Sequence, residues 1–276
     1  MSIVQNLFYF VQNFIPMLQV IVPLDFSETS LNAAHYACNM YKSRADVNII
    51  LYHYYTAGED TAVAENYLAS LKNELKACTP GIETLLESGD NFIDSLTAYA
   101  HVKTAYMIVM GLTGKTALAQ RFSGSNTLKM AEKNVCPVLI VPADARFTKV
   151  ENVVITSEMK YVEETPTLLA VKRVLADFKP SLHILNVDDS HYISLTKAFK
   201  EERDKMEELL LEFKPEFYFM RLYDFHEAVN LFTHDKDIDM IIIAPKHHSF
   251  YEWLFKTLHT KKMIYQSKVP VLAVYE

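Results

Sequence analysis

One apolar pattern occurs twice in this chain at a fixed offset of 133 residues, from Pro137 to Pro270. Pro137-Val138-Leu139-Ile140-Val141 returns as Pro270-Val271-Leu272-Ala273-Val274. At the same offset Met107-Ile108-Val109-Met110 maps onto Met240-Ile241-Ile242-Ile243, and Val22 maps onto Ile155. An offset that holds at the start, middle and end of a segment marks tandem duplication. Each copy must then close a hydrophobic core of its own.

Within each copy, apolar runs alternate with helical patterns. Strands are expected near 18–24, 47–54, 82–87, 106–111 and 137–141, and again near 152–157, 181–187, 216–221, 238–244 and 270–275. Most of these runs are continuous in Val, Ile and Leu, as strands covered on both faces require. Strand–helix alternation of this kind gives an α/β fold with a parallel sheet and right-handed crossovers. The expectation is two tandem Rossmann-like domains, each a five-stranded parallel sheet with helices on both faces. They would span 17–143 and 152–276, joined by a linker at 144–151 and preceded by an extension at 1–16. Thr165-Pro166 reads as the cap and first position of the second copy's first helix.

Net charge is −7, from 27 basic and 34 acidic side chains, with no basic block. That argues against nucleic acid as a partner, since a phosphate-tracking groove needs clustered Lys and Arg. Three widely spaced cysteines, Cys38, Cys78 and Cys136, indicate neither a disulfide framework nor a zinc knuckle, and a reducing cytoplasm fits. Cys38 shares a helical face with Leu31, Ala34 and Tyr41, as a small core residue would. Residues 1–16 are apolar but carry no Lys or Arg, so they lack the charged start of a signal peptide. Their longest apolar run, Leu7 to Val11, is too short to span a bilayer, and no transmembrane segment is expected. An upstream start or added helix, and a docking or membrane-surface segment, both remain open for them.

The chemistry concentrates after the apolar run Tyr106-Met107-Ile108-Val109-Met110. There the chain reads Gly111, two residues, Gly114, nine residues, Gly124, Ser125. Glycines let backbone N–H groups approach an anion, and Ser125 can cap a helix whose first N–H groups point the same way. Gly114-Lys115-Thr116 imitates the end of a Walker A loop, but Val109 stands where that motif needs its first glycine. The Gly-x-Gly-x-x-Gly dinucleotide pattern is absent too. A plain strand-to-helix loop with glycines at turns is the alternative for the spacing alone.

The run Ala105 to Gly114 with Gly124-Ser125 resembles the signature of the universal stress protein family, matching its Gly-x2-Gly-x9-Gly-Ser/Thr pattern without insertion. Val20-Ile-Val-Pro-Leu-Asp25-Phe-Ser-Glu-Thr-Ser30 is similar to the family's first strand and turn, and Cys136 to Pro142 resembles its last strand. The resemblance covers Met17 to Pro142. It implies a nucleotide-binding protein linked to stress, with ATP or AMP as ligand and Mg²⁺ or Mn²⁺ carried by the phosphates. It also implies a regulatory role rather than turnover. Family members commonly dimerise through their last strands. Val138–Val141 and Val271–Val274 are therefore expected to pair inside this chain as an intramolecular pseudo-dimer. A homodimer of such pseudo-dimers and an unknown protein partner are left open.

Ligands of open parallel sheets bind beyond the carboxyl ends of the strands, where strand order reverses. Pro23, Asp25, Tyr54, Met110 and Gly111 are the candidates at strand ends, and Gly114, Lys115, Arg121, Gly124, Ser125 and Asn126 those of the loop. Asp25 matches the family's aspartate near the adenosine end, where it would accept from a ribose hydroxyl or adenine amine. Capping the helix that starts near Ser27 is its alternative. Tyr54 stands where the family commonly places a small apolar residue against adenine, and would either stack on the base or fill the pocket. His53 reads as a structural histidine. Lys115 and Arg121 would neutralise phosphates or remain solvated, and Asn126 would add an amide.

At the same offset the second copy replaces Gly111, Gly114, Gly124 and Ser125 by Ala244, His247, Thr257 and Leu258, and Asp25 by Glu158. It is expected to be a degenerate structural or regulatory partner. His247, His248 and His259 complete no metal spacing, and Asp235-x-Asp237-x-Asp239 lacks the glycine and glutamate of a calcium loop. No nucleophile elbow or His-Glu-x-x-His occurs. The leading expectation is an ATP- or AMP-binding regulatory module. An interaction scaffold without nucleotide and a slow ATPase are the alternatives.

Overall fold

The computed structural model describes residues 17–56, 58, 60–79, 81–112, 124–188, 196–221, 225–244 and 269–274. The extension at 1–16, the loop residues Gly114, Lys115 and Arg121, and His247, His248 and His259 lie outside these residues. The first copy runs β1 (Leu18–Leu24), α1 (Glu28–Met40), β2 (Val47–Tyr55), α2 (Ala62–Leu75), β3 (Ile82–Ser88), α3 (Phe92–Val102), β4 (Met107–Leu112), α4 (Gly124–Glu132) and β5 (Val138–Pro142). The second runs β6 (Asn152–Thr156), α5 (Pro166–Phe178), β7 (Ser181–Asp188), α6 (Lys197–Leu209), a 3₁₀ turn at Leu211–Phe213, β8 (Glu216–Arg221), α7 (Phe225–Asp235), β9 (Met240–Ile243) and β10 (Val271–Ala273).

The ten strands among the described residues join one sheet in the order β3-β2-β1-β4-β5-β10-β9-β6-β7-β8. Pairing is parallel within each half. At the middle, β10 runs antiparallel to β5, with Val271 opposite Ile140, Leu272 opposite Leu139 and Ala273 opposite Val138. This is the expected pairing of last strands, and it makes the two sheets continuous.

Alternate residues of the strands feed two cores, because successive side chains of a strand point to opposite faces. Val20, Val22, Ile49, Leu51, Met107 and Val109 pack under α1 and α2, in a layer that runs on beneath α5. Ile21, Ile50, Tyr52, Ile108 and Met110 pack under α3 and α4, in a layer that continues beneath α7. The central strands are therefore buried on both sides, which explains their unbroken aliphatic runs.

The helices start where their caps dictate. Ser27 accepts from the Ser30 amide, Asn91 from the Ile93 and Asp94 amides, and Thr165 from the Leu168 amide with Pro166 following it. Between β5 and β6 the chain is fastened to α1. The Asn32 amide donates to the carbonyls of Pro142, Ala143 and Ala145 at 3.0–3.2 Å, and Arg146 donates to Asn32 Oδ1 at 2.6 Å. A second clasp joins the halves. Arg44 makes a bidentate pair with Asp46 at 2.6 Å and reaches Asp177 of α5 at 3.4 Å, while the Tyr106 hydroxyl donates to Asp177 at 2.7 Å.

Candidate functional site

In the first half, β2 and β3 lie on one side of β1 while β4 and β5 lie on the other. Strand order thus reverses between β1 and β4, and the crevice beyond Leu24 and Leu112 is the place where an open α/β sheet receives a ligand. Three segments meet there: the turn after β1, the first turn of α1 and the start of α4.

Asp25 opens the turn and is exposed. Its Oδ1 accepts from the Ser27 amide at 3.1 Å and the Ser27 hydroxyl at 2.5 Å. The cap of α1 is therefore Ser27, and Asp25 braces the turn that presents it. Partial burial works against the charge of Asp25, yet hydrogen bonds from Ser27 and Ser30 outweigh it and hold the carboxyl below its ordinary range. Asp25 is an anion at neutral pH, a ready acceptor for a hydroxyl or amine.

Between them, Phe26 sits at φ +59°, a left-handed conformation that costs an ordinary L-residue about 1–2 kcal/mol. Its ring is packed against His53 at 4.5 Å and Tyr67 at 5.3 Å, tilted to them by 32° and 33°. His53 is fixed in turn by a 2.8 Å hydrogen bond between Nδ1 and the Leu24 carbonyl. The result is an aromatic shelf beside Asp25, with Tyr67 59% exposed. Sequence reasoning passed over Phe26 and Tyr67. The φ at Phe26 leaves no trace in composition, and Tyr67 sits on the outer face of α2 where periodicity expects polar residues.

Gly111 is the next-to-last residue of β4 and lies under the first turn of α1. A Cβ placed on it would lie 2.3 Å from the Thr29 carbonyl oxygen, so the missing side chain is what lets α1 approach β4. Its carbonyl accepts from the Thr127 hydroxyl at 3.1 Å. That bond ties the first turn of α4 to the strand end and brings the helix N-terminus, at Gly124 and Ser125, to the rim. Asn126 is half-buried in the same turn. A helix N-terminus beside a strand end suits an anion, because its unpaired N–H groups and dipole point outward.

The remaining candidates divide by face. Pro23 is buried in β1 opposite Tyr52, and Met110 is buried in the core beneath α3 and α4. Tyr54 lies on that same face. Its ring meets Phe92 edge-on at 5.8 Å and its hydroxyl donates to the Gly89 carbonyl. The tyrosine is thus committed to the β3–α3 turn, across the sheet from the aromatic shelf. In the second half Glu158 is exposed and pairs with Lys160 at 3.3 Å. Among the described residues no group of three or more His, Cys, Asp or Glu side chains could hold a metal ion. None of the described helices is long and apolar enough to cross a membrane.

The sequence profile of the universal stress protein family matches residues 17–142. Residues 17–142 are therefore a universal stress protein domain. No curated protein matches the chain. Its structure is similar to a universal stress protein from Archaeoglobus fulgidus, at 15% identity and TM-score 0.65, with 92% of this chain and 94% of that one covered. It is also similar to a Pseudomonas aeruginosa protein described as a universal stress protein, at 13% identity and TM-score 0.60, with 95% and 94% covered. Both alignments extend over the two halves and so describe the tandem fold. A universal stress protein in complex with cAMP aligns at 26% identity and TM-score 0.38, covering 46% of this chain and 97% of its own.

Proposed function

We propose that the universal stress protein domain of this chain binds an adenine nucleotide, ATP or AMP, at the β1–β4 rim and acts by regulation rather than turnover. The observation that carries the reading is the meeting of an exposed, ionised Asp25 with a helix N-terminus that Thr127 fastens to Gly111. In this reading Asp25 accepts from the ribose or the adenine amine. The phosphates take the N-terminus of α4 and the loop, with Gly114, Gly124, Ser125 and Asn126 close to them and Lys115 and Arg121 supplying charge. Mg²⁺ or Mn²⁺ would arrive on the phosphates, held by oxygens and water. The shelf of Phe26, His53 and Tyr67 offers aromatic surface to the base. In this reading Tyr54, held by Phe92 and Gly89 on the opposite face of the sheet, does not touch the base.

A scaffold that binds no nucleotide is the second reading, and Gly111 is the observation that favours it, since packing against Thr29 accounts for that glycine without a phosphate. The deciding experiment is heat denaturation of the purified chain, with chromatography and mass spectrometry of what it releases. The expected result is about one adenine nucleotide per chain, lost in Gly114→Val. Release of none, together with no rise in melting temperature on adding ATP·Mg, would establish the scaffold reading instead.

A further inference from the structure

Cys38 and Cys78 stand far apart in sequence but come together between α1 and the loop after α2. Cys38 lies in the last turns of α1 and is fully buried, whereas Cys78 follows Leu75 at the end of α2 and is partly exposed. Both are tied to one atom, the Leu75 carbonyl oxygen, which accepts from the Cys38 thiol at 3.5 Å and from the Cys78 amide at 2.9 Å. The Cys78 carbonyl accepts from the Ser43 amide at 3.1 Å, which holds the loop against the turn that closes α1. The Cys78 thiol is also close enough to interact with the Cys38 thiol, so the two are neighbours in a braced pocket, one sealed in the core and one partly exposed.

We propose that Cys38 and Cys78 form a peroxide-responsive dithiol, in which Cys78 meets the oxidant and Cys38 resolves it to an intramolecular disulfide. The division of labour follows from access and acidity. Burial, with the neighbouring Cys78 thiol adding to it, pushes the Cys38 thiol up to about 12, so it is a poor first nucleophile. Cys78 is the one a small oxidant reaches. With hydrogen peroxide, the Cys78 thiolate attacks one oxygen, the O–O bond breaks, and a sulfenic acid and hydroxide result. The Cys38 sulfur then attacks the sulfenic sulfur, the S–S bond forms, and hydroxide leaves with the Cys38 proton as water. Two thiols lose two electrons and two protons, and the peroxide becomes two waters.

The bond would staple the end of α1 to the loop between α2 and β3. The opposite end of α1 carries Ser27 and Thr29 at the nucleotide rim, so one helix would connect the staple and the rim. The dithiol itself does not depend on the nucleotide reading. Disulfides in a reducing compartment are usually transient or sensing ones, which suits a pair that is half exposed.

The test is mild hydrogen peroxide on the reduced full chain, followed by denaturing alkylation and peptide mapping. Of the three thiols, two are expected to become unavailable to alkylation, with the peptides of Cys38 and Cys78 cross-linked and two hydrogens lost. Dithiothreitol should restore all three. The thermal midpoint should rise on oxidation and return on reduction. In Cys38→Ala, Cys78 should instead stop at sulfenic acid, trapped by dimedone. Cys136→Ser should leave the cross-link intact. Oxygen added to Cys78 in the parent chain with Cys38 still alkylatable, or a cross-link between chains, would overturn the proposal.

Discussion

At Gly111 the backbone of β4 passes so close to α1 that a single methyl group would overlap the Thr29 carbonyl. The obstacle is helix backbone, which cannot rotate away as a side-chain tip could. Gly111→Ala should therefore cost about 1–3 kcal/mol, read as a lower denaturation midpoint. An unchanged midpoint would show that α1 yields freely there. The glycine was visible in the sequence and its reason was not, because close approach to a helix and close approach to a phosphate both ask for a missing Cβ. Asp25 poses a similar ambiguity. Aspartate and serine both favour the start of a helix, and only the hydrogen bonds show that Ser27 caps it while Asp25 braces the turn. Tyr54 could be placed at the end of β2 from its spacing. Its partners, Phe92 and Gly89, belong to a turn that no local pattern connects to β2.

At the scale of elements, the strands were the most legible part, since runs such as Ile49-Ile50-Leu51 and Val138-Leu139-Ile140 have no solvent face to interrupt them. Edge strands β3 and β8 carry charges, Glu83 and Glu87 in one and Glu216 and Arg221 in the other, which discourages further pairing at the sheet's rims. Helix α1 carries most of the connections. Its first turn meets β4, its middle holds the segment after β5 through Asn32, and its end lies beside Cys78 and the Arg44 clasp. Asn32→Leu keeps the bulk but removes three donated hydrogen bonds and the acceptor of Arg146. It should destabilise the chain by about 1–2 kcal/mol, because the buried Pro142 carbonyl loses this donor and Arg146 is left to hold the Ala143 and Ala145 carbonyls alone. Chemical denaturation measures this, and a cost under about 0.5 kcal/mol would mean that water replaces the amide.

At the scale of the molecule, the repeat offset implied two copies, and the pairing of last strands made them one sheet. What no sequence pattern announced is the side-chain clasp across the halves, because Arg44, Tyr106 and Asp177 are brought together only once both copies have folded and met. Burial, with the nearby Tyr41 and Asp177, raises the pKa of Tyr106 well above its usual value, so its hydroxyl keeps its proton and remains a donor to Asp177. Asp177→Ala should lower stability by about 1–3 kcal/mol, leaving Arg44 and Tyr106 short of an acceptor. A double-mutant cycle with Tyr106→Phe should give a coupling of about 0.5–1 kcal/mol, and additive effects would show that the contact contributes nothing of its own.

The antiparallel seam between β5 and β10 also changes how the two halves obey mass action. Two separate chains joined along such strands would part on dilution, since their encounter is second order in protein. Here the partner strand travels on the same chain, so each half sees the other at a local concentration set by the connecting segment and not by how much protein a cell makes. Pairing of the halves is thereby freed from expression level, and a scarce copy of this chain is as fully assembled as an abundant one.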